Sequence, residues 1–260
     1  MGFVKTADEL RRYYQLGDRR FIGAQMTGVM FTTPAEVTAP LLPPPLEQAD
    51  LPGGLIFIAQ YGETNLGAGY REAALFLRCK YKGEAGNYCL AMPIDSEPRM
   101  HNGRDVFGFP KKLAKIHVER KDNTVTGWVE RNGKRFLELE VNLSSTMPQM
   151  PPTGPTFLFK ATPRIDLTPG FDGPVLLARQ KTEIKARKLE IGTAKITLRP
   201  AEDDPWAELG DPQVMMAFQL ESDNTMLPGE IVDNQVDPEG FLPHYFRMTD
   251  FSAGTTEASR

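Results

Sequence analysis

Two short turn sequences divide residues 114–143 into three runs in which apolar and polar side chains alternate. Asp122-Asn123 separates the first two runs, and Asn132-Gly133 separates the last two. Asn-Gly readily adopts the positive φ angles of a type I′ hairpin turn. These residues therefore predict a three-stranded antiparallel meander, which we expect to be part of a larger sheet formed with strands elsewhere in the chain.

Short runs of strand-forming residues, broken by glycine, proline and asparagine, continue through most of the chain, whereas helical periodicity is scarce. Strands are predicted at residues 21–31, 55–60, 70–81, 88–94, 114–120, 124–131, 136–143, 157–160 and 188–198. Residues 215–222 fit either a strand or a turn-rich apolar segment. Near the N-terminus, Thr6 and Glu9 form a capping box that predicts a short helix over about residues 6–14.

The length and apolar content of the chain fit one domain spanning residues 1–260. With 260 residues, of which 40% are hydrophobic, the chain can bury a substantial core without being divided. Residues 144–156 are rich in proline and are interpreted as a crossing segment within that domain. Residues 200–212 contain three prolines and five acidic side chains, and we expect them to form a surface excursion.

Charge and hydropathy argue against nucleic acid and membrane partners. The 30 basic and 34 acidic residues are interspersed, with a net charge of −4, so the sequence contains no basic stripe that would neutralise a phosphate backbone. No run approaches the roughly 18 apolar residues that cross a bilayer. We therefore expect a soluble cytoplasmic protein.

The cysteines and histidines predict neither a metal site nor a disulfide framework. Cys79 and Cys89 lack a zinc-binding pattern and are interpreted as small buried hydrophobic residues, although they flank a turn and could face each other across a hairpin. The three histidines have no ligand spacing, and the glycine-rich stretches lack the context of a phosphate-binding loop. No metal and no cofactor is predicted.

Two adjacent lysines, Lys111 and Lys112, follow a proline and an aromatic run in residues 103–113, which read Gly-Arg-Asp-Val-Phe-Gly-Phe-Pro-Lys-Lys-Leu. Apolar surroundings disfavour the charged form of a lysine, lower its pKa and leave an amine that can form a Schiff base with a carbonyl substrate. In an extended segment the two side chains point to opposite faces, so at most one enters a given cavity. A solvated pair at the start of a strand is the plainer interpretation.

This segment resembles the signature of the acetoacetate decarboxylase family, although Asp105 stands where that family usually has glutamate. Two further elements agree with the resemblance. Residues 69–72, Gly-Tyr-Arg-Glu, fall where the family has Tyr-x-Glu, and residues 41–47, Leu-Leu-Pro-Pro-Pro-Leu-Glu, are similar to its Val-Pro-x-Pro-Leu-Glu turn. The order and spacing of the three elements fit residues 20–115 without large gaps.

The resemblance implies a mainly β (α+β) fold, in which antiparallel sheets close into a barrel or cone around an apolar cavity, and it implies a homo-oligomer. It also implies that Lys111 is the Schiff-base nucleophile and that the carboxylate of Glu72 faces it. The plainer interpretation of Glu72 is a solvated carboxylate at a strand end. Supporting or substrate-binding positions are then expected at Lys112, Arg104, Tyr70, Phe107 and Tyr245.

Two positions depart from the family's pattern. Its arginine near the start of the first strand and its second glutamate fall near Ala24 and Phe57 here, although a small register change would bring in Arg19 or Arg20. Such a pocket could bind a different keto acid or perform the aldolase-dehydratase chemistry of diverged relatives. Their late tyrosine would correspond to Tyr245, which by itself reads as a core residue.

The leading hypothesis is a Schiff-base-forming lyase that decarboxylates a small β-keto acid, such as acetoacetate, through an imine and an enamine on Lys111. One alternative is an aldolase-dehydratase that uses the same imine on keto-acid and aldehyde substrates. A second alternative is a non-catalytic β-barrel protein that binds a small ligand and uses Lys111 as a counter-ion. Arg104 fits either a carboxylate-binding role or an ion pair with Asp105.

Overall fold

A single sheet of fourteen strands dominates the computed structural model, which describes residues 2–252. The strands are β1 (Arg19–Thr32), β2 (Glu47–Gln48), β3 (Gly53–Thr64), β4 (Gly67–Tyr81), β5 (Glu84–Ile94), β6 (Lys111–Leu113), β7 (Lys115–Lys121), β8 (Thr124–Arg131), β9 (Lys134–Thr146), β10 (Thr156–Lys160), β11 (Val175–Gln180), β12 (Thr182–Leu198), β13 (Gln213–Met226) and β14 (Glu230–Val236). The helices are α1 (Ala7–Gln15), α2 (Ala35–Thr38), α3 (Glu97–Asn102) and α4 (Pro238–Tyr245). A π-helical turn (Gly103–Phe107) continues α3, and 3₁₀ turns lie at Ala39–Leu41, Trp206–Leu209 and Phe246–Met248.

The strands follow the order β14-β11-β10-β5-β4-β3-β1-β13-β12-β9-β8-β7, with β2 added beside β4 and β6 beside β5. The pairing is antiparallel except where β10 and β6 run parallel to β5. The fold is therefore mainly β, as the sequence predicts. The expected closure into a barrel is not confirmed, because the path of paired strands in residues 2–252 is open and ends at β14 and β7.

The predicted meander is confirmed as β7, β8 and β9, which pair in sequence. Asp122, Asn132 and Gly133 take positive φ angles of 55°, 48° and 72° at its two turns, which is the backbone that the turn residues predicted. Residues 215–222, which periodicity leaves undecided, lie in β13 between β1 and β12. Thr6 and Glu9 form the predicted capping box at the start of α1.

Alternation along β4 separates two cores on the two faces of the sheet. Ala73, Leu75 and Leu77 are buried in the larger core, which also includes side chains of β7, β8 and β9. Ala74 and Phe76 belong to a smaller cluster on the opposite face. Because successive strand residues point to opposite faces, this smaller cluster becomes the wall of a cavity.

The two cysteines follow the same division and are both free. Cys79 faces the larger core, whereas Cys89 lies in the smaller cluster on the other face. Burial raises the pKa of the Cys79 thiol to about 12 and raises that of Cys89 further. The two side chains are therefore inert packing residues on different faces of the sheet.

A bulge in β1 changes which of its residues face the cavity. Phe21 pairs with Asn224 and Ala24 pairs with Ser222, so Ile22 and Gly23 together occupy the place of one residue. Gly23 has a φ of 63°, and its amide donates to the carboxylate of Asp223 at 2.9 Å, which holds the bulge. A bulge shifts the alternation of a strand by one residue.

The predicted crossing segment is shorter than residues 144–156. β9 continues to Thr146 and β10 begins at Thr156, so the irregular part is residues 147–155. Its prolines explain why strand pairing stops there, since proline cannot donate to a ladder. Among the residues that the structure describes, no helix is long and apolar enough to span a membrane.

A substitution at Gly28 tests how closely β1 packs against β3. A Cβ atom at this position would lie 2.7 Å from the Ile56 carbonyl oxygen and 2.9 Å from the Phe57 Cβ. We expect Gly28→Ala to lower the free energy of unfolding, measured by urea denaturation, by ~1–3 kcal/mol because overpacking must displace backbone. Gly62→Ala is the matched control, since its nearest contact is 3.6 Å away, and it should leave stability unchanged or slightly raised. Equal stability of both variants would contradict the packing described here.

Candidate active site

A cavity of about 470 Å³ lies on the face of the sheet that carries the smaller core. Alternate residues of β1, β3, β4 and β13 form its floor, and most of them are apolar. Met26, Phe57, Phe76, Phe218 and Leu220 are among the lining residues. A polar group inside this cavity therefore has mostly apolar neighbours.

Lys111 enters the cavity from β6. Its strand pairs in parallel with β5, where Met92 stands opposite, and only 6% of its side chain is exposed. The Lys111 side chain passes directly over Gly103, where a Cβ atom would lie 2.3 Å from the lysine Cε. The Nζ atom also lies 5.5 Å from the centre of the Phe109 ring. The π-helical turn thus shapes a slot that only glycine leaves open.

Glu72 meets Lys111 in the cavity from β4. The Nζ atom of Lys111 donates to Oε2 of Glu72 at 2.5 Å, across the intervening strand β5. Only 7% of the Glu72 side chain is exposed, so the plainer interpretation of a solvated carboxylate is wrong. The structure thus brings together the two residues that the resemblance paired.

Tyr61 completes this group and is not predicted by the sequence. Its Oη atom donates to Oε1 of Glu72 at 2.9 Å, and its ring centre lies 5.0 Å from that of Tyr70. Tyr61 stands opposite Tyr70 because β3 and β4 are joined by a two-residue loop at residues 65–66. A two-residue loop at residues 65–66 would have placed Tyr61 opposite Tyr70 from the sequence alone. The loop is Asn-Leu, however, and lacks the Asn-Gly signal of a tight hairpin.

Both tyrosines remain protonated in this environment. Burial raises the pKa of Tyr61 well above its ordinary value, and the negative charge of Glu72 raises it further. The pKa of Tyr70 is raised by the same two causes, while the positive charge of Arg99 opposes the shift. Tyr61 therefore acts as a hydrogen-bond donor to the carboxylate throughout the neutral range.

Cations outnumber anions around the cavity. Arg19, Arg78, Arg99 and Lys111 all line it, whereas Glu72 is the only carboxylate among the described lining residues. An excess of positive charge in an apolar, low-dielectric site attracts an anionic ligand. The site is suited to a molecule that carries a carboxylate and an apolar part.

Arg19, rather than Arg20, faces the cavity because of the bulge in β1. In a regular strand, Arg20 would share a face with Met26, because alternate residues point to the same side. The extra residue of the bulge shifts this alternation, so Arg19 shares the face of Met26 instead. Its Nη1 and Nη2 atoms donate to the Gly17 carbonyl at 2.9 Å and to the Tyr13 hydroxyl at 3.3 Å. Its Nε atom is buried and has no hydrogen-bond partner among the described residues, so a donor is available.

The second departure from the family's pattern is also visible here. Phe57 lines the cavity where the resemblance places a second carboxylate, and Ala24 is fully buried beside it in the smaller core. No described acidic residue replaces the missing group, since Glu72 stands alone in the lining. The missing carboxylate leaves this wall apolar.

Of the other predicted site residues, Tyr70 and Phe107 line the cavity, but Arg104 and Tyr245 do not. The ring of Tyr245 packs 5.4 Å from that of Phe171 beside the larger core. Burial raises the pKa of Tyr245, and the positive charge of Arg104 opposes that shift. Tyr245 thus lies on α4 beside the larger core, whereas Arg104 lies in the π-helical turn next to Gly103 with its side chain outside the cavity lining.

Lys112 lies on the opposite face from Lys111, in a buried ion-pair cluster. Its Nζ atom lies 2.9 Å from a carboxylate oxygen of Asp250 and 3.7 Å from one of Asp204. Arg131 pairs with both of these carboxylates. Lys112 does not line the cavity, because it points to the face opposite Lys111, as strand alternation predicts.

The same cluster attaches part of residues 200–212, which the sequence predicts to be a surface excursion, to the sheet. Asp204 is buried, and so are Trp206 and Leu209 on the 3₁₀ turn that follows. Lys112 and Arg131 pair with Asp204, which allows this one carboxylate to be buried. Glu202, Glu208 and Asp211 are exposed, so most of the acidic segment lies at the surface as predicted.

Known proteins with a similar sequence or fold are acetoacetate decarboxylases and related enzymes. A family model described as Acetoacetate decarboxylase (ADC) matches residues 7–236. The acetoacetate decarboxylase of Burkholderia vietnamiensis (strain G4 / LMG 22486) is 28% identical over 227 residues, covering 84% of this chain and 90% of the relative.

Solved structures agree on the fold. A structure described as "Structural Studies of Acetoacetate Decarboxylase" superposes with a TM-score of 0.77 at 18% identity, covering 85% of this chain and 91% of the other. The enduracididine biosynthesis enzyme MppR, complexed with the condensation product of pyruvate and imidazole 4-carboxaldehyde, superposes with a TM-score of 0.73 at 16% identity, covering 84% and 90%. At these identities the structural matches show the fold alone.

Replacing the buried Lys112 should lower the free energy of unfolding more than replacing the exposed Lys115. We expect Lys112→Met to lower the free energy of unfolding by about 3 kcal/mol, because a buried ion pair that loses one partner leaves a charge uncompensated. Lys115→Met removes an exposed pair with Glu130 and should change stability by less than about 1 kcal/mol. Urea denaturation measures both, and a Lys112 variant as stable as the Lys115 variant would contradict the buried cluster.

Proposed function

Because the chain belongs to the acetoacetate decarboxylase family, we propose that it is a lyase that decarboxylates a β-keto acid through an imine on Lys111. The observation that carries the proposal is the buried contact of 2.5 Å between Lys111 and Glu72 inside a cavity with excess positive charge. An amine beside a proton acceptor, shielded from water, is suited to attack a ketone.

The proposed reaction begins when the amine nitrogen of Lys111 adds to the keto carbon. Loss of the carbonyl oxygen as water leaves an iminium ion, which withdraws electrons from the adjacent carbon. The bond to the carboxylate carbon then breaks, carbon dioxide leaves, and the electron pair enters the enamine. The former α-carbon takes up a proton, and water releases the ketone and the free amine.

Glu72 is the proposed proton carrier for these steps. Its Oε2 atom accepts a hydrogen bond from the Lys111 ammonium, so it is placed to take a proton before the amine attacks. Tyr61 holds the other carboxylate oxygen at 2.9 Å and fixes its orientation. Removal of the Glu72 carboxylate or the Tyr61 hydroxyl would therefore disturb proton transfer and leave the nucleophile, Lys111, in place.

Arg19 is the proposed partner of the substrate carboxylate. Its buried Nε atom lacks a partner among the described residues, and its two other nitrogens are anchored to Gly17 and Tyr13. Tyr13 also accepts a hydrogen bond from Asn102 at 3.1 Å, one residue before the glycine that Lys111 crosses. This chain of contacts links the guanidinium to the Lys111 end of the cavity.

Borohydride trapping tests the imine directly. Incubation with acetoacetate and sodium borohydride should add one isopropyl group to the protein, because decarboxylation precedes reduction of the imine to a secondary amine. Peptide mass mapping should place the group on Lys111, and Lys111→Arg should abolish it. Glu72→Gln should slow carbon dioxide release by about 10²–10⁴-fold, since that is the usual contribution of a proton carrier.

An absent adduct, or one that persists in Lys111→Arg, would refute the proposal. Binding of acetoacetate without an adduct would favour the non-catalytic alternative, in which Lys111 is a counter-ion. The Lys112→Met variant is the matched control because that side chain lies in the separate ion-pair cluster. It should still form the adduct wherever it is folded.

Arg19 and Arg20 form a matched pair for the carboxylate site. Arg19→Gln should raise KM for acetoacetate by about 10–100-fold, since a charge-assisted hydrogen bond is lost from an apolar site. Arg20→Gln should leave KM unchanged because that side chain is exposed and does not line the cavity. Steady-state kinetics measures both, and equal KM values for the two variants would remove Arg19 from the proposed site.

An aldolase-dehydratase activity is the second candidate, and the apolar Phe57 favours it over a decarboxylase with two carboxylates. The MppR structure carries a condensation product of pyruvate and an aldehyde, on a similar fold. With Tyr245 outside the cavity, Tyr61, which donates to Glu72, is the proposed tyrosine for this chemistry. Borohydride trapping with pyruvate, followed by product analysis with an added aldehyde, distinguishes this activity from carbon dioxide release.

A further inference from the structure

The cavity extends far beyond the Lys111 site along the strands. Glu72 and Arg78 both line it from the same face of β4, and they stand six positions apart along the strand. At about 3.3 Å per strand residue, the cavity floor continues for roughly 20 Å past Glu72. On β13 the lining runs from Met216 to Met226, and thus along most of that strand.

Beyond Lys111, a row of apolar side chains crosses the floor of the cavity from β1 to β4. Met30 pairs with Leu55 on β3, and Leu55 pairs with Phe76 on β4, so these three lining residues form a row across the floor. Phe57 and Phe218 line the cavity as well. A four-carbon keto acid bound at Lys111 would leave this surface in contact with water.

Arg78 closes the far end of this apolar stretch. It donates to the carbonyl oxygens of Phe31 at 3.2 Å and Leu51 at 3.3 Å, and no described carboxylate pairs with it. Burial lowers the pKa of its guanidinium. The apolar surface is therefore bounded by cations at both ends, with Arg19 and Lys111 at one end and Arg78 at the other.

The volume agrees with a ligand larger than acetoacetate. Pockets of roughly 300–1,000 Å³ enclose drug-sized ligands, and this cavity measures 470 Å³. Enclosed apolar surface stabilises a ligand in proportion to the apolar area that the ligand covers. An unbranched alkyl chain matches the length, the width and the chemistry of the floor.

We propose that the substrate is a medium-chain 3-keto acid, with its carboxylate toward Arg19, its keto group at Lys111 and its alkyl tail lying over Leu55 toward Arg78. The inference rests on the proposed function and deepens it. The bonds that form and break are those of the Lys111 reaction above. The products are carbon dioxide and a methyl ketone that carries the alkyl tail, and the cation at Arg78 sets the upper limit of tail length.

The test is kcat/KM along the series 3-oxobutanoate, 3-oxohexanoate, 3-oxooctanoate and 3-oxodecanoate. Each buried methylene should raise kcat/KM about fourfold until the tail reaches Arg78. Leu55→Trp narrows the cavity and should lower the ratio of kcat/KM for 3-oxodecanoate to that for 3-oxobutanoate by at least tenfold. Ile231→Trp is the matched control, because Ile231 is an exposed residue of β14, and it should keep the wild-type ratio.

A competition experiment keeps the proposal testable if the tryptophan variant fails to fold. Wild-type protein receives equal amounts of 3-oxobutanoate and 3-oxodecanoate with borohydride, and intact mass reports which ketone is trapped. Predominance of the long adduct supports the proposal. Trapping of the short adduct alone, or a flat or falling kcat/KM series, overturns the substrate class while leaving the imine chemistry intact. No adduct from either acid overturns the imine chemistry and the substrate class together.

Discussion

The ion pair between Lys111 and Glu72 is the interaction on which the cavity depends. Removing both charges from water costs several kcal/mol for each ion, and only close geometry with further hydrogen bonds offsets this. The contact of 2.5 Å and the hydrogen bond from Tyr61 supply both. Because such a pair contributes little net stability, its burial supports the role in proton transfer that we propose for Glu72.

Sheet geometry determines where this pair forms. Lys111 and Glu72 lie on β6 and β4, with β5 between them, and their side chains point to the same face. The lysine adjacent in sequence, Lys112, points to the other face and joins a separate cluster with Asp204 and Asp250. Strand alternation thus gives two neighbouring lysines unrelated surroundings, one in a cavity and one in an ion-pair network.

Local sequence signals predicted the meander, the capping box of α1 and the strand that carries Glu72. They did not predict β11, β14 or the short strand β6 that carries Lys111. The local signals also failed where contacts between residues distant in sequence buried a side chain that its neighbours in sequence suggest is exposed. Asp204 reads as a surface residue in an acidic segment, yet it is buried because cations from distant strands pair with it. Sheet closure also could not be read from strand patterns, since these do not specify which strands remain at the edges.

From the amino-acid sequence, the resemblance to the acetoacetate decarboxylase family implied that Lys111 and Glu72 face each other. The other groups of the site were revealed by the three-dimensional arrangement of the strands. Tyr61 depends on the register of a hairpin without a strong turn signal, and Arg19 depends on a bulge that shifts β1 by one residue. Tyr245 was excluded by the packing of α4 on the other core. Register and bulges are set by pairing between distant strands, and one residue of shift moves a side chain from one face of the sheet to the other.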